Sequence, residues 1–194
     1  MRIDKAGLLD SISVWNDFVV RKIRLVACGG TAMTLLNVKA STKDIDLMVP
    51  DEKEYKALIG NLIKLGYKQT TGSGWAKENA FVYDIYCGNK IHTTELLDSP
   101  LLPGNSFPVK EFSRIKLSVL NYYDLITSKL MRGTSVDFED CEMLAEAKRK
   151  EMDFAVLEKR FKETVSYDVS ESRVLANFKS FKDILKKKRI AYVK

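Results

Sequence analysis

Several things are scarce in these 194 residues. The three cysteines, Cys28, Cys87 and Cys141, lie far apart with no CxxC spacing. A sparse, odd set argues against a disulfide framework and predicts buried thiols in a reducing cytoplasm. His92 is the one histidine, which leaves a histidine-rich zinc site or a Ser-His-Asp triad little to work with. It reads as a polar residue near a strand end. Ten glycines and four prolines exclude collagen-like and low-complexity architectures. No apolar run approaches the roughly 18 residues a membrane span needs. The opening Met1-Arg-Ile-Asp-Lys5 carries an acid where a signal peptide wants none, so the expectation is a soluble cytoplasmic protein with no membrane partner.

What is present is ordinary globular composition, 45% hydrophobic and 30% charged. The net charge of +6 is unevenly placed. Seven basic residues (Lys179, Lys182, Lys186, Lys187, Lys188, Arg189 and Lys194) face one acid, Asp183, at the C-terminal end. A neutral body with a basic end suits a polyanion such as RNA. It equally suits a solvated helix end, where the dipole favours Lys and Arg.

Apolar positions Leu8, Leu9, Ile12, Trp15, Phe18 and Val19 recur at helical spacing over 5–22. This places Trp15 in a core. Ile23–Ala27 reads as a strand ending at Gly29-Gly30, followed by a short helix over 31–36 and a second strand, Asp44–Val49, stopped by Pro50. Asp51 and Glu54 predict a capping box for a helix ending near Gly66. A strand and turn follow over 68–74, with Trp75 in a loop where it could stack on a base, then a strand over 80–86. Pro100, Pro103, Gly104 and Pro108 predict an inter-domain loop. The remainder reads as strand-like 114–120 and helices over 121–132, 136–149, 153–165 and 170–188. The last carries the stripe Val174, Leu175, Phe178, Phe181, Ile184 and Leu185.

The chemistry sits in Val26-Ala-Cys-Gly-Gly-Thr31 and Asp44-Ile-Asp46. A strand that ends in two glycines and opens a helix presents backbone N–H groups and a positive helix end to a phosphate, and the Thr31 hydroxyl can join them. Side chains two apart on a strand point the same way, so Asp44 and Asp46 aim at one place. Two neighbouring carboxylates repel unless a cation sits between them, and hard oxygen ligands select Mg²⁺ or Mn²⁺. Asp84, inside the apolar run Phe81–Tyr86, needs either a lysine partner or a metal. Three such carboxylates on adjacent strands could hold two cations about 4 Å apart and assist an in-line displacement at phosphorus.

Together, Gly29-Gly30-Thr31, Asp44-Ile-Asp46 and Asp84 resemble the signature of the DNA polymerase β nucleotidyltransferase superfamily. Asn121-Tyr-Tyr-Asp-Leu-Ile-Thr-Ser-Lys-Leu130 with Arg132 and Asp137-Phe-Glu-Asp140 is similar to its abortive-infection (AbiEii) toxin-like group. The resemblance covers about residues 23–147. It implies an α+β fold, with a mixed sheet flanked by helices as the nucleotidyltransferase core (1–112) and a mainly helical part (113–194). It also implies an NTP bound through Mg²⁺ or Mn²⁺ on Asp44, Asp46 and Asp84, with Gly29, Gly30, Thr31, Thr42 and Lys129 on the nucleotide. Asp140, with Asp137, would fix Lys129 or the acceptor, although the same residues suit an ordinary helical salt-bridge set. Related sequences carry an arginine where this chain has Ala40, with Lys39 beside it.

The expected activity is transfer of a nucleoside monophosphate from an NTP to a hydroxyl, with Asp84 helping to take the acceptor's proton. RNA, including a tRNA end, is the favoured acceptor, with a protein or small-molecule hydroxyl open. A toxin role implies an antitoxin partner. The alternative is a catalytically inactive nucleotide- or RNA-binding module on the same scaffold.

Overall fold

Asp4 caps the first helix, α1 (Lys5–Phe18), by accepting from the Gly7 N–H at 2.9 Å. The structure is a computed structural model that describes residues 1–78, 81–167 and 170–192. The chain folds as two units. One comprises Met1–His92 with Asp98–Leu120, and the other Thr93–Leu97 with Asn121–Lys194.

In the first unit, β1 (Ile23–Ala27) leads to α2 (Gly29–Leu35), β2 (Ile45–Val49), α3 (Glu52–Lys64), β3 (Lys68–Gln69), β4 (Gly74–Ala76), β5 (Tyr83–Cys87) and β6 (Lys90–Ile91). After β7 (Thr94–Glu95), which falls in the second unit, come β8 (Ser106–Glu111) and β9 (Ile115–Leu120). Seven of these strands form one mixed sheet in the order β3-β4-β5-β2-β1-β9-β8. β2 runs parallel to β5 and β1 parallel to β9, while β1 and β2 are antiparallel. The central strands are apolar on both faces, as strands covered on both sides are. In β1, β2 and β5 the second position is the one half-exposed interior residue: Arg24, Asp46 and Asp84.

Trp15 of α1 lies in the core, 1% exposed, with its ring 4.6 Å from that of Tyr83 on β5. Buried Asn16 accepts from the Arg114 and Ile115 N–H groups at 2.9 and 3.1 Å, which fixes the start of β9. Glu54 departs from the expected capping box. Asp51 caps α3 from the Lys53 and Glu54 amides, but the Glu54 carboxylate instead accepts from the Arg24 backbone and guanidinium at 2.7 and 2.8 Å. The proline-rich stretch is no inter-domain loop. It enters the edge strand β8, where Pro108 sits at a register shift, and β9 belongs to the sheet, so the first unit runs to Leu120 rather than 112. Trp75 lies in β4, 6% exposed, rather than in a loop. Cys87 is exposed, whereas Cys28 and Cys141 are buried as expected. The expected start of the 80–86 strand at Ala80 lies outside the described residues.

The second unit is helical: α4 (Tyr122–Arg132), α5 (Ser135–Ala147), α6 (Phe154–Val165) and α7 (Glu171–Lys187). The Phe161 and Phe178 rings stack at 4.4 Å between α6 and α7. On α7, Val174, Phe178, Phe181 and Leu185 are buried, while Leu175 is exposed. Among the described residues, no helix is long and apolar enough to cross a membrane.

Candidate active site

In the parallel register of β2 and β5, Asp46 stands directly opposite Asp84. Residues paired this way project from the same face of a sheet, about 5 Å apart. The two expected carboxylates are therefore brought together, both half-buried. Gly29 supports Asp46 from the other side. Its φ is +53°, and a Cβ there would collide with the Asp46 carboxylate, so only glycine fits this corner. The Cys28 amide donates to the Asp46 carbonyl at 3.1 Å and draws the start of α2 against β2.

Thr31 and Thr42, expected on the nucleotide, are turned instead towards the backbone of this corner. Both are buried, and their hydroxyls donate to the Asp44 carbonyl at 3.2 and 3.1 Å. Thr31 also accepts from the Asp46 N–H at 2.9 Å. They hold the chain before β2 in place rather than offering a proton to a ligand. Gly30 closes on Thr42, since a Cβ at Gly30 would lie 2.6 Å from the Thr42 hydroxyl. Asp44 lies one residue before β2, in an exposed bend, because the strand starts at Ile45. Among the described residues, no three His, Cys, Asp or Glu side chains are drawn close enough to form a ready-made metal cage. The donor set is nonetheless right in kind for a hard divalent cation, with two carboxylates in register and a third acid two residues upstream.

Sequence reasoning missed three residues around this pair. Ser73 donates to Asp84 Oδ1 at 2.8 Å. Tyr86, two residues beyond Asp84 and so on the same strand face, is signalled by the alternation alone. Burial first, then the charges of Asp46, Asp84 and Cys28, hold its phenol far above the usual range, with Ser73 opposing, so it stays a donor. Its hydroxyl lies 2.9 and 3.0 Å from the two ring nitrogens of His92. Arg2 grips the loop before Thr42 by donating to the Ser41 hydroxyl and carbonyl at 2.7 and 2.6 Å, and Ile3 bridges to Thr42. A guanidinium therefore adjoins the loop where Ala40 supplies none, and Lys39 and Ala40 both line a hollow with Asp4, Lys5 and Asn37.

In the second unit, Lys129 on α4 and Asp140 on α5 form a buried ion pair of 2.7 Å, with side chains 3% and 5% exposed. Asp137 lies 3.8 Å from the Lys129 ammonium. It also accepts from Arg132 at 2.5 Å and from the Thr134 hydroxyl at 2.8 Å, completing a capping box for α5. Burial works to raise the Asp137 carboxyl, but the hydrogen bonds from Arg132 and Thr134 outweigh it and hold the group below its usual range. Lys129, expected on the nucleotide, is thus held in a buried ion pair. On α7 the basic end is partly committed, since Lys182 pairs with Glu158 and Lys188 with Glu142, leaving Lys179, Lys186, Lys187 and Arg189 exposed. Lys194 lies outside the described residues.

Residues 108–189 match the family model of nucleotidyltransferases of unknown function (DUF6036). A search of curated protein sequences finds no significant match. Among solved structures, the chain is similar to ANT(2")-Ia in complex with adenylyl-2"-tobramycin. The TM-score is 0.55 and the identity 12%, over 82% of this chain and 95% of that one. It is also similar to the solution structure of the antibiotic-resistance factor ANT(2'')-Ia, with a TM-score of 0.53 and 14% identity over 94% and 95% of the two chains. MenT4, a nucleotidyltransferase toxin from Mycobacterium tuberculosis H37Rv, aligns with a TM-score of 0.47 and 19% identity over 87% and 68%. The chain thus shares the fold of the ANT(2'')-Ia structures, a mixed sheet flanked by helices, and its segment from β8 to just past α7 matches a nucleotidyltransferase family model.

Proposed function

We propose that the protein transfers a nucleoside monophosphate from an NTP to a hydroxyl acceptor, with RNA as the acceptor class. The observation that carries this reading is the side-by-side placement of Asp46 and Asp84 against the Gly29 corner. Two like charges on adjacent strands are stable company only for a cation. Asp46 and Asp84, with Asp44 beside them, would hold Mg²⁺ or Mn²⁺, which when bound neutralises triphosphate charge. The amides of Gly29 and Gly30 receive the phosphates. Arg2 adds positive charge at the neighbouring loop.

In the reaction the acceptor oxygen forms a bond to the α-phosphorus, the bond from that phosphorus to the bridging oxygen breaks, and pyrophosphate leaves. Asp84 takes the acceptor proton, and the Ser73 hydroxyl keeps it oriented. Positioning and charge neutralisation do most of the work, as in phosphoryl transfer generally. The exposed cations of α7 supply sequence-independent affinity for an RNA backbone.

The test is transfer of label from α-labelled NTPs to an RNA pool in Mg²⁺ or Mn²⁺. The expected result is labelled RNA with the native protein and none with Asp46→Asn or Asp84→Asn. Labelling that survives both substitutions overturns the mechanism. A second reading, nucleotide or RNA binding without catalysis, draws on the exposed place of Asp44 outside β2. It predicts NTP binding that Mg²⁺ does not enhance. The toxin role and its antitoxin partner come from the sequence resemblance, and an inhibitory protein that co-purifies with the chain would bear them out.

A further inference from the structure

A cavity of about 380 Å³ opens beside the carboxylate pair, walled by Tyr55, Ser73, Ile85, Tyr86, Lys90 and His92. Two of these walls belong to the site already described. Ser73 is the residue bonded to Asp84, and Tyr86 is the phenol that feels the charges of Asp46 and Asp84. Anything seated here has Asp84 at its edge. The lining is chemically mixed: phenols from α3 and β5, an ammonium from β6, and an imidazole held by Tyr86 just after β6. His92 keeps a left-handed backbone, φ +51°, which a non-glycine residue rarely adopts and which marks a conformation imposed by its surroundings. Behind this wall the buried Trp75 indole N–H faces the Tyr55 phenol and favours its ionised form, which sets the Tyr55 ring in place.

We propose that this cavity is the acceptor subsite and that it takes the terminal nucleotide of an RNA strand. The base lies against the Tyr55 and Tyr86 rings, and the adjoining phosphate meets Lys90 and His92. This inference rests on the nucleotidyltransferase reading. The volume is near the low end of the roughly 300–1,000 Å³ that small-ligand sites span, enough for one nucleotide but not a folded partner. Aromatic faces with a cation alongside, here Lys90, are the usual platform for single-stranded nucleic acid. The same ammonium disfavours a polycationic small molecule. A ribose hydroxyl held here is presented to Asp84 across Ser73.

Anisotropy of a 5′-labelled single-stranded RNA, in constant salt and without NTP, tests the subsite independently of catalysis. The expected result is that Tyr55→Ala and Lys90→Ala each weaken binding about tenfold, the scale of one stacked base or more. Tyr55→Phe retains affinity, and a circular RNA with no terminus competes poorly. Unchanged affinity in the alanine variants, equal competition by circular RNA, or displacement of the RNA by a tyrosine- or serine-bearing peptide overturns the proposal. Lys90 is exposed, so its substitution leaves the fold intact. Binding that follows this pattern while the native protein transfers no nucleotide to the same RNA supports the subsite and overturns the activity.

Discussion

Replacing Lys129 with methionine separates two roles for one ammonium, strut and phosphate ligand. In the structure Lys129 reaches Asp140 at 2.7 Å and lies 3.8 Å from Asp137, with all three side chains at most 5% exposed. Methionine keeps most of the length and removes the charge. Asp137 retains Arg132 and Thr134, and Asp140 loses its ion pair with Lys129. Breaking one side of a buried pair typically costs about 3–5 kcal/mol, because a carboxylate stays behind in a poor solvent. For a chain of this size that lowers Tm by about 6–20 °C. Removing both charges, as in Lys129→Met with Asp140→Leu, recovers most of the loss, since apolar replacement of a whole buried pair is often neutral. Urea unfolding at pH 7 for the three proteins, with NTP titrations on each, measures it. A Lys129→Met protein within about 1 kcal/mol of native stability but with NTP affinity lost refutes the strut and makes the ammonium a nucleotide ligand.

Three further substitutions probe other joints of the molecule. Gly29→Ala places a Cβ at φ +53° against the Asp46 carboxylate. It should cost about 1–2 kcal/mol in backbone strain and lower transfer by about tenfold or more. Gly60→Ala on α3, where a Cβ meets nothing within 4 Å, should instead stabilise by up to about 1 kcal/mol. Asp137→Asn addresses acid stability. A carboxyl whose folded pKa is depressed contributes stability above its unfolded value, near 4, and loses it as pH falls through the folded value. The variant should be weaker by about 1.5–3 kcal/mol at pH 7 and show a flatter decline in urea midpoint between pH 5 and pH 2.5. A parallel decline in both proteins would assign the acid limb to other groups.

The helices were the most legible part of the sequence because their signals are local. Apolar spacing and N-cap residues lie within each segment, and α4 to α7 fall within one or two residues of their expected ends. Ile23–Ala27 was legible for the same reason. β9 belongs to the sheet of the first unit, and the sequence hides this because its membership depends on a parallel partner, β1, about 90 residues earlier, which no local pattern reports. Pro108 concealed β8, since proline reads as a breaker unless the strand is an edge. Asp51-x-x-Glu54 has the letters of a capping box, yet Arg24 outcompetes the helix end for Glu54, a choice made by tertiary packing. At the site, alternation marked Asp46 and Asp84 as acids within apolar strands, but that β2 and β5 lie side by side in register depends on the sheet order, which no local pattern reports. The threonines were not legible either, because a hydroxyl beside a glycine corner can face either a ligand or the backbone, and only the fold decides that Asp44 claims both.

The carboxylate pair also has an energetic consequence of its own. At the spacing of neighbouring strands, about 5 Å, two unit charges in a water-like dielectric repel by about 1 kcal/mol. Both groups are half-buried, so water screens them only in part, and Ser73 offers Asp84 a single neutral hydrogen bond. The fold therefore sets two like charges side by side. Asp84→Asn removes one charge and keeps an oxygen that can still accept from Ser73. Without divalent ions this variant should match or exceed native stability by up to about 1 kcal/mol, as functional sites often hold such reserves. Millimolar Mn²⁺ should raise the Tm of the native protein, because a ligand that binds only the folded state stabilises it, and should leave Asp84→Asn nearly unmoved. A variant less stable than the native protein by more than about 1 kcal/mol would mean that the charge of Asp84 is a structural tie. An equal response of both proteins to Mn²⁺ would place any ion elsewhere. Stability gained where cation response is lost is what a site built for charge neutralisation requires, and an ordinary buried ion pair would behave in the opposite way.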